Sequence, residues 1–221
     1  MVETGPVIII GYGPGVAAGV ADVFAGQGHP IALIARSADK VAAAAAALTA
    51  TGITATGHVA DAGDDEALLA AIADARAAHG EPQVLVYNAA HWRPGPVLAL
   101  STEDLLADFR TCVAGALTAA RSVAPGMVAA GSGTLLFTGG GLAMYPSPEA
   151  PSLSIGKASI RSLALMLAAE LAPKGVRVGT VTIAGTVSND GPLNPKRIGE
   201  AFLELHRGAP DAATAEVVLR P

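Results

Sequence analysis

The residues best placed to do chemistry begin at Gly11-Tyr12-Gly13-Pro14-Gly15-Val16-Ala17, directly after the apolar run Val7-Ile8-Ile9-Ile10. Glycines let the backbone turn tightly and bring main-chain N–H groups against a pyrophosphate, and a helix opening at Val16 adds the positive end of its dipole. Ala17 is small enough for helix and strand to pack closely. A strand, a glycine turn and a helix, followed by a second strand ending about 20 residues later, are the context a dinucleotide-binding turn requires. That second strand ends at Ala35-Arg36-Ser37. A site for NAD(H) places an acid there for the ribose 2′-hydroxyl, whereas an arginine beside a hydroxyl suits a 2′-phosphate. Arg36 and Ser37, with Lys40 one turn on, therefore predict NADP(H), with NAD(H) the less favoured cofactor.

Further short motifs follow in order: Asp61-Ala62-Gly63-Asp64, Asn88-Ala89-Ala90, Leu153-Ser154-Ile155-Gly156-Lys157 and Ala184-Gly185. With the glycine turn, they make the chain resemble the short-chain dehydrogenase/reductase family over nearly its whole length. The turn is similar to that family's TGxxxGxG, with Ile10 for the Thr and Ala17 for the last Gly. Asp61, with Ala62 beside it, falls where the family's Asp meets the adenine, and Asn88-Ala89-Ala90 where its NAG flanks the adenosine and ribose. Lys157 stands at the Lys of YxxxK, and Gly185 at the Gly of the PG turn near the nicotinamide, with Ala184 for the Pro. The resemblance implies a cofactor cradle of Gly11, Tyr12, Gly13, Gly15, Val16, Arg36, Ser37, Asp61, Ala62, Asn88, Ala89, Ala90, Lys157 and Gly185. It also implies hydride transfer with a small carbonyl or enone substrate, and a homodimer or homotetramer.

The reactive end departs from the family. The catalytic Tyr position is Leu153, which has no proton to transfer; the Ser position falls at Gly139 or Gly140; the Asn position is Cys112. Lys157 alone remains of the four, and it is expected to hold the nicotinamide ribose. Candidates to replace the Tyr are Tyr145, in the loop after the fifth strand, Thr138, at that strand's end, and His91, directly after Asn88-Ala89-Ala90. Histidine titrates near neutrality, as general acid/base chemistry requires. His91 and Trp92 are expected to face the substrate cleft, and Tyr12 and Tyr87 to shape the adenosine pocket. Two functions stand: an oxidoreductase with non-standard catalytic residues, or a catalytically inactive NADP(H)-binding sensor or partner subunit.

Positioning these residues requires alternating strands and helices, hence a doubly wound α/β fold with a parallel sheet covered on both faces. Strands are predicted over Val7–Ile10, Ile31–Ala35, Thr54–Val59, Val84–Asn88, Thr134–Thr138, Arg177–Ile183 and Glu216–Leu219. Helices are predicted over Val16–Gln27, Ala38–Ala50, Glu66–His79, Thr102–Ala130, Ser154–Ala172 and Lys196–His206, the fourth capped by Ser101 or Thr102 and closed by Gly131. Loops follow the fourth, fifth and sixth strands, the last forming a short substrate loop over 185–195. Ligands bind at such carboxyl ends.

Composition closes off other classes. At 221 residues, 51% hydrophobic and 15% charged, one Rossmann domain is expected to bury its own core. A net charge of −5 with no basic stripe argues against nucleic acid. Met1-Val2-Glu3-Thr4 lacks a basic leader region, no apolar run of bilayer length is read, and Cys112 has no partner for a disulfide; a cytoplasmic protein is expected. The five histidines lie in separate segments, so no metal site is predicted.

Overall fold

The structure, a computed structural model, describes residues 4–221; Met1-Val2-Glu3 lie outside the described residues. Strands β1 (Val7–Ile10), β2 (Ile31–Ala35), β3 (Ala55–Val59), β4 (Val84–Tyr87), β5 (Thr134–Thr138), β6 (Arg177–Ile183) and β7 (Glu216–Leu219) form a seven-stranded sheet ordered β3-β2-β1-β4-β5-β6-β7. Every pairing in it is parallel. The connecting helices are α1 (Val16–Ala25), α2 (Ala38–Ala50), α3 (Asp65–His79), α4 (Thr102–Phe109), α5 (Gly115–Ala130), α6 (Pro151–Leu171) and α7 (Pro195–Arg207). The doubly wound architecture read from the sequence is the one observed.

The central strands β1, β2 and β4 are apolar without alternation because both sheet faces are covered there. Ile8 and Ile10 enter the core shared with α3, α5 and α6, whereas Val7 and Ile9 enter the core shared with α1, α2 and α7. Strand order reverses between β1 and β4, where Ile10 sits level with Tyr87. A crevice opens at that switch point beyond the strands' carboxyl ends.

Several helix boundaries follow from local chemistry. Asp64 caps α3 through Glu66 N and Ala67 N, with Asp65 and Glu66 in the first turn and Arg76 and His79 in the last. Ser101, rather than Thr102, caps α4. Helix α6 begins at Pro151, three residues before the expected Ser154, because proline at the first helical position gives up no intrahelical bond. The expected helix over 102–130 is continuous but passes through a π turn at Arg110–Ala114, where Tyr87 Oη donates to Thr111 O at 2.5 Å. Just beyond it, a Cβ on Gly115 would lie 2.0 Å from Ala62 O, so only glycine lets the helix pass the β3–α3 turn this closely.

That 29-residue stretch, at mean hydropathy 1.3, is long and apolar enough by length and composition to cross a bilayer, contrary to the expectation of no such run. Its apolar character has a use inside the fold, because Ala116, Ala119, Ala120, Val123 and Met127 are buried in the core beneath the sheet.

Candidate dinucleotide and substrate site

The glycine turn is held from below. Gly11 N and Tyr12 N both donate to Ile34 O, at 2.9 and 3.1 Å, pinning the turn to β2. Gly11 takes φ +81°, and a Cβ there would lie 2.4 Å from Ala89 N, so this position admits no side chain. Gly13 and Gly15 instead face open space, where a Cβ would meet no atom within 4 Å. No side chain caps α1, and its first turn carries no acid. The turn therefore offers a Cβ-free cradle against an uncapped helix start, which fits a pyrophosphate. A cavity of 470 Å³ lies beside it, between Gly15 and Val16 on one side and Val187, Ser188 and Asn189 of the loop after β6 on the other.

A second cavity, of 280 Å³, opens over β2, β1 and β4. Gly11 and Tyr12 form its floor, with Arg36, Ser37 and Lys40 at one wall and Asp61 and Ala62 at another. Asn88, Ala89, Ala90 and His91 close it toward β4. Arg36 Nη1 stands 4.0 Å from Asp61 Oδ2 across the mouth, with both side chains largely exposed. Asp61 Oδ1 accepts from Gly63 N at 2.8 Å, which fixes the carboxylate. Ser37 Oγ caps α2 by accepting from Lys40 N, leaving its own proton free to donate. Tyr87, expected beside this pocket, is instead buried beneath the sheet with its hydroxyl committed to Thr111, and burial raises its pKa far above the ordinary tyrosine value.

The third cavity, of 700 Å³, continues along β5 and β6 and shares Asn88 and Ala90 with the second. One chain of hydrogen bonds ties the two together. Asn88 Nδ2 donates to Gly11 O at 2.8 Å, Thr138 Oγ1 donates to Asn88 Oδ1 at 2.9 Å, and Lys157 Nζ donates to Thr138 O at 2.7 Å. Burial, only partly opposed by the nearby Cys112, brings the Lys157 ammonium down to about 8. With one of its three protons on Thr138, Lys157 has donor capacity left for a ligand. Gly185 lines the same cleft, as do Tyr145, which is 63% exposed, and Trp92.

Leu153 lines the cleft without a polar atom. Gly140 is the position that faces Lys157, since a Cβ there would lie 3.4 Å from Lys157 Cδ, while a Cβ on Gly139 would collide with Thr182 Oγ1 at 2.7 Å. Cys112 is buried in the π turn, its thiol raised by burial and partly offset by the His91 backbone N–H and by Lys157.

Of the four catalytic candidates, Lys157, Thr138 and Tyr145 meet in one cleft, but the Thr138 hydroxyl is spent on Asn88. His91 departs from expectation: it lines the adenosine-side cavity and is not among the residues of the substrate cleft. The reason is Asp108, whose Oδ1 lies 2.6 Å from His91 Nδ1. Asp108 is buried, which by itself raises a carboxyl, but Arg93, Ser152 and His91 outweigh burial and hold it at about 2. Arg93 binds Asp108 through Nε at 2.9 Å and Nη2 at 3.1 Å, and reaches Asp104 at 3.0 Å. Sequence reading missed this cluster; its signal was the i, i+4 pair Asp104 and Asp108 on one face of α4, downstream of His91 and Arg93.

The sequence profile of the short chain dehydrogenase family matches residues 6–191. The chain belongs to that family. It is 30% identical over 178 residues to the oxidoreductase UcpA of Salmonella typhimurium, a match covering 79% of this chain and 66% of the relative, so it spans somewhat less than two thirds of that protein. Among solved structures, a metagenomic short-chain oxidoreductase in complex with NADP superposes with TM-score 0.88 at 27% identity, covering 99% of this chain and 98% of the other. A short-chain dehydrogenase from Rhodopseudomonas palustris shares the fold at TM-score 0.87 and 24% identity, over 99% of each chain.

Proposed function

We propose that this short-chain dehydrogenase family member is an NADP(H)-dependent oxidoreductase acting on a small carbonyl or enone. The observation that carries the reading is a pair of cavities meeting at Asn88 and Ala90, one lined by Arg36 and the other by Lys157, tied together by the hydrogen-bond chain Gly11–Asn88–Thr138–Lys157. Bound there, the dinucleotide supplies the hydride. Arg36, Ser37 and Lys40 take the 2′-phosphate, and Asp61 and Ala62 border the adenine. Gly13, Gly15 and Val16 cradle the pyrophosphate, Asn88, Ala89 and Ala90 flank the ribose, and Gly185 borders the nicotinamide end. Lys157 holds the second ribose, and Tyr145 is the phenol in the cleft that can give a proton, Leu153 standing where the family has its Tyr.

The test is a titration of the protein with NADPH and NADH, then NADPH oxidation against a panel of carbonyls and enones. Tighter NADPH binding with turnover of at least one class is expected; failure to bind either dinucleotide overturns the reading. The coincidence of Leu153, Gly140 and Cys112 at the reactive end favours a second reading, an NADP(H)-binding sensor or partner subunit. NADPH binding with no turnover on the whole panel, and co-purification with an active homologue, would select it.

We also propose a homodimer or homotetramer. Leu106, Phe109 and Leu117 stay exposed along α4 and α5, and Ile155 and Met166 along α6, more apolar surface than a lone subunit needs to present. Light scattering during gel filtration reads this directly. The single buried, unpaired Cys112 suits the reducing cytoplasm.

A further inference from the structure

The residues lining the 700 Å³ cleft include two cations, Lys157 and Arg220, and no acid, in a chain whose net charge is −5. Lys157 is committed to Thr138 O on β5. Arg220, the residue after β7, is exposed and, among the described residues, has no hydrogen bond or ion pair. Arg93 and Arg161, by contrast, are each locked onto a carboxylate. A guanidinium left unpaired at a cleft with no acid is a fork of donors without an acceptor. Trp92 and Tyr145, 62% and 63% exposed, line the same cleft, large aromatic surfaces that a planar organic body would cover.

We infer that the cleft takes a substrate that carries a carboxylate, with Arg220 gripping that carboxylate and the aromatic pair bracketing the rest of the molecule. The oxidoreductase reading places the reducible carbonyl of this substrate toward Lys157, and in that respect the inference rests on it. A carboxylate is favoured over a phosphate because the one unpaired guanidinium balances a single negative charge, whereas a phosphate monoester carries nearly two.

Trp92 is the only tryptophan of the chain, so its fluorescence reports on this cleft without any turnover. The experiment titrates benzoate, its neutral isostere benzamide and phenyl phosphate into the full chain and into the Arg220→Ala and Arg220→Lys variants, with and without NADP⁺. Benzoate is expected to bind at least about tenfold more tightly than benzamide, the worth of one charge-assisted contact. Arg220→Ala should erase that preference while leaving benzamide unchanged, and Arg220→Lys should restore part of it. Equal binding of benzoate and benzamide, binding of neither, or a preference that survives Arg220→Ala overturns the inference. A stronger response to phenyl phosphate than to benzoate overturns the choice of carboxylate. Failure of NADP⁺ to bind strikes the oxidoreductase reading alone, since the preference is still read in its absence.

Discussion

Acid should weaken this fold through one imidazole. His206, 5% exposed near the end of α7, sits 5.6 Å in ring centroid from His29 and 5.7 Å from Phe24, with Nδ1 at 2.9 Å from Thr134 Oγ1. Burial first, then His29, Arg177 and Arg207, push its pKa from 6.5 to about 4. A histidine depressed in the folded state stays neutral there while the unfolded chain takes up a proton. Stability is therefore whole above pH 6.5 and drains as pH falls toward about 4. At about 1.4 kcal/mol per pH unit the ceiling is about 3 kcal/mol, of which about 2 kcal/mol is lost between about pH 7 and pH 5. In urea this should lower the midpoint by about 1 M, taking a slope of about 2 kcal/mol/M. His206→Asn keeps a polar partner for Thr134 and removes the titration. It should start lower at neutral pH, having lost the ring packing against Phe24, and then decline less steeply. His58 and His79, which burial also holds below the ordinary histidine value, contribute equally to both proteins and cancel in the comparison. Parallel pH dependences for wild type and variant between pH 7 and 5 would refute the reasoning, whatever their absolute stabilities.

Three further outcomes probe the site. Arg36→Ala should weaken NADPH by about tenfold and leave NADH unchanged; Arg36 is 69% exposed, so the low end of the range for a charge-assisted contact applies. Gly13→Ala should keep the wild-type melting temperature, because a Cβ there meets no atom within 4 Å, yet lose dinucleotide binding, because that open space is the cradle; calorimetry and titration separate the two. Leu153→Tyr with Gly140→Ser should raise the rate of carbonyl reduction above wild type, since the two hydroxyls would enter the cleft beside Lys157; an unchanged rate in a folded, NADPH-binding double variant argues that positions 153 and 140 do not limit the rate.

The sheet and the cofactor end were legible because each depends on neighbours in sequence. Val7–Ile10, Ile31–Ala35 and Thr134–Thr138 are short apolar runs bounded by turn residues, and their strands fall where expected. The turn at Gly11 requires a positive φ, which glycine alone adopts cheaply, so its residue types report its shape. Helix ends were less legible: α6 starts at Pro151, because a proline that ends a loop and one that opens a helix look alike until the first turn forms.

What the sequence by itself determined, then, is the alternation that builds the sheet and the glycine turn at its switch point. Which way His91 faces was decided only in three dimensions, because Asp108 lies on another element and its buried charge holds the ring through a 2.6 Å contact. The π turn at Arg110–Ala114, the link from Gly11 to Lys157, and the arrival of Arg220 in the cleft have the same origin. Each joins residues far apart in the chain, and no local pattern records a partner that only the packing of strands and helices brings near.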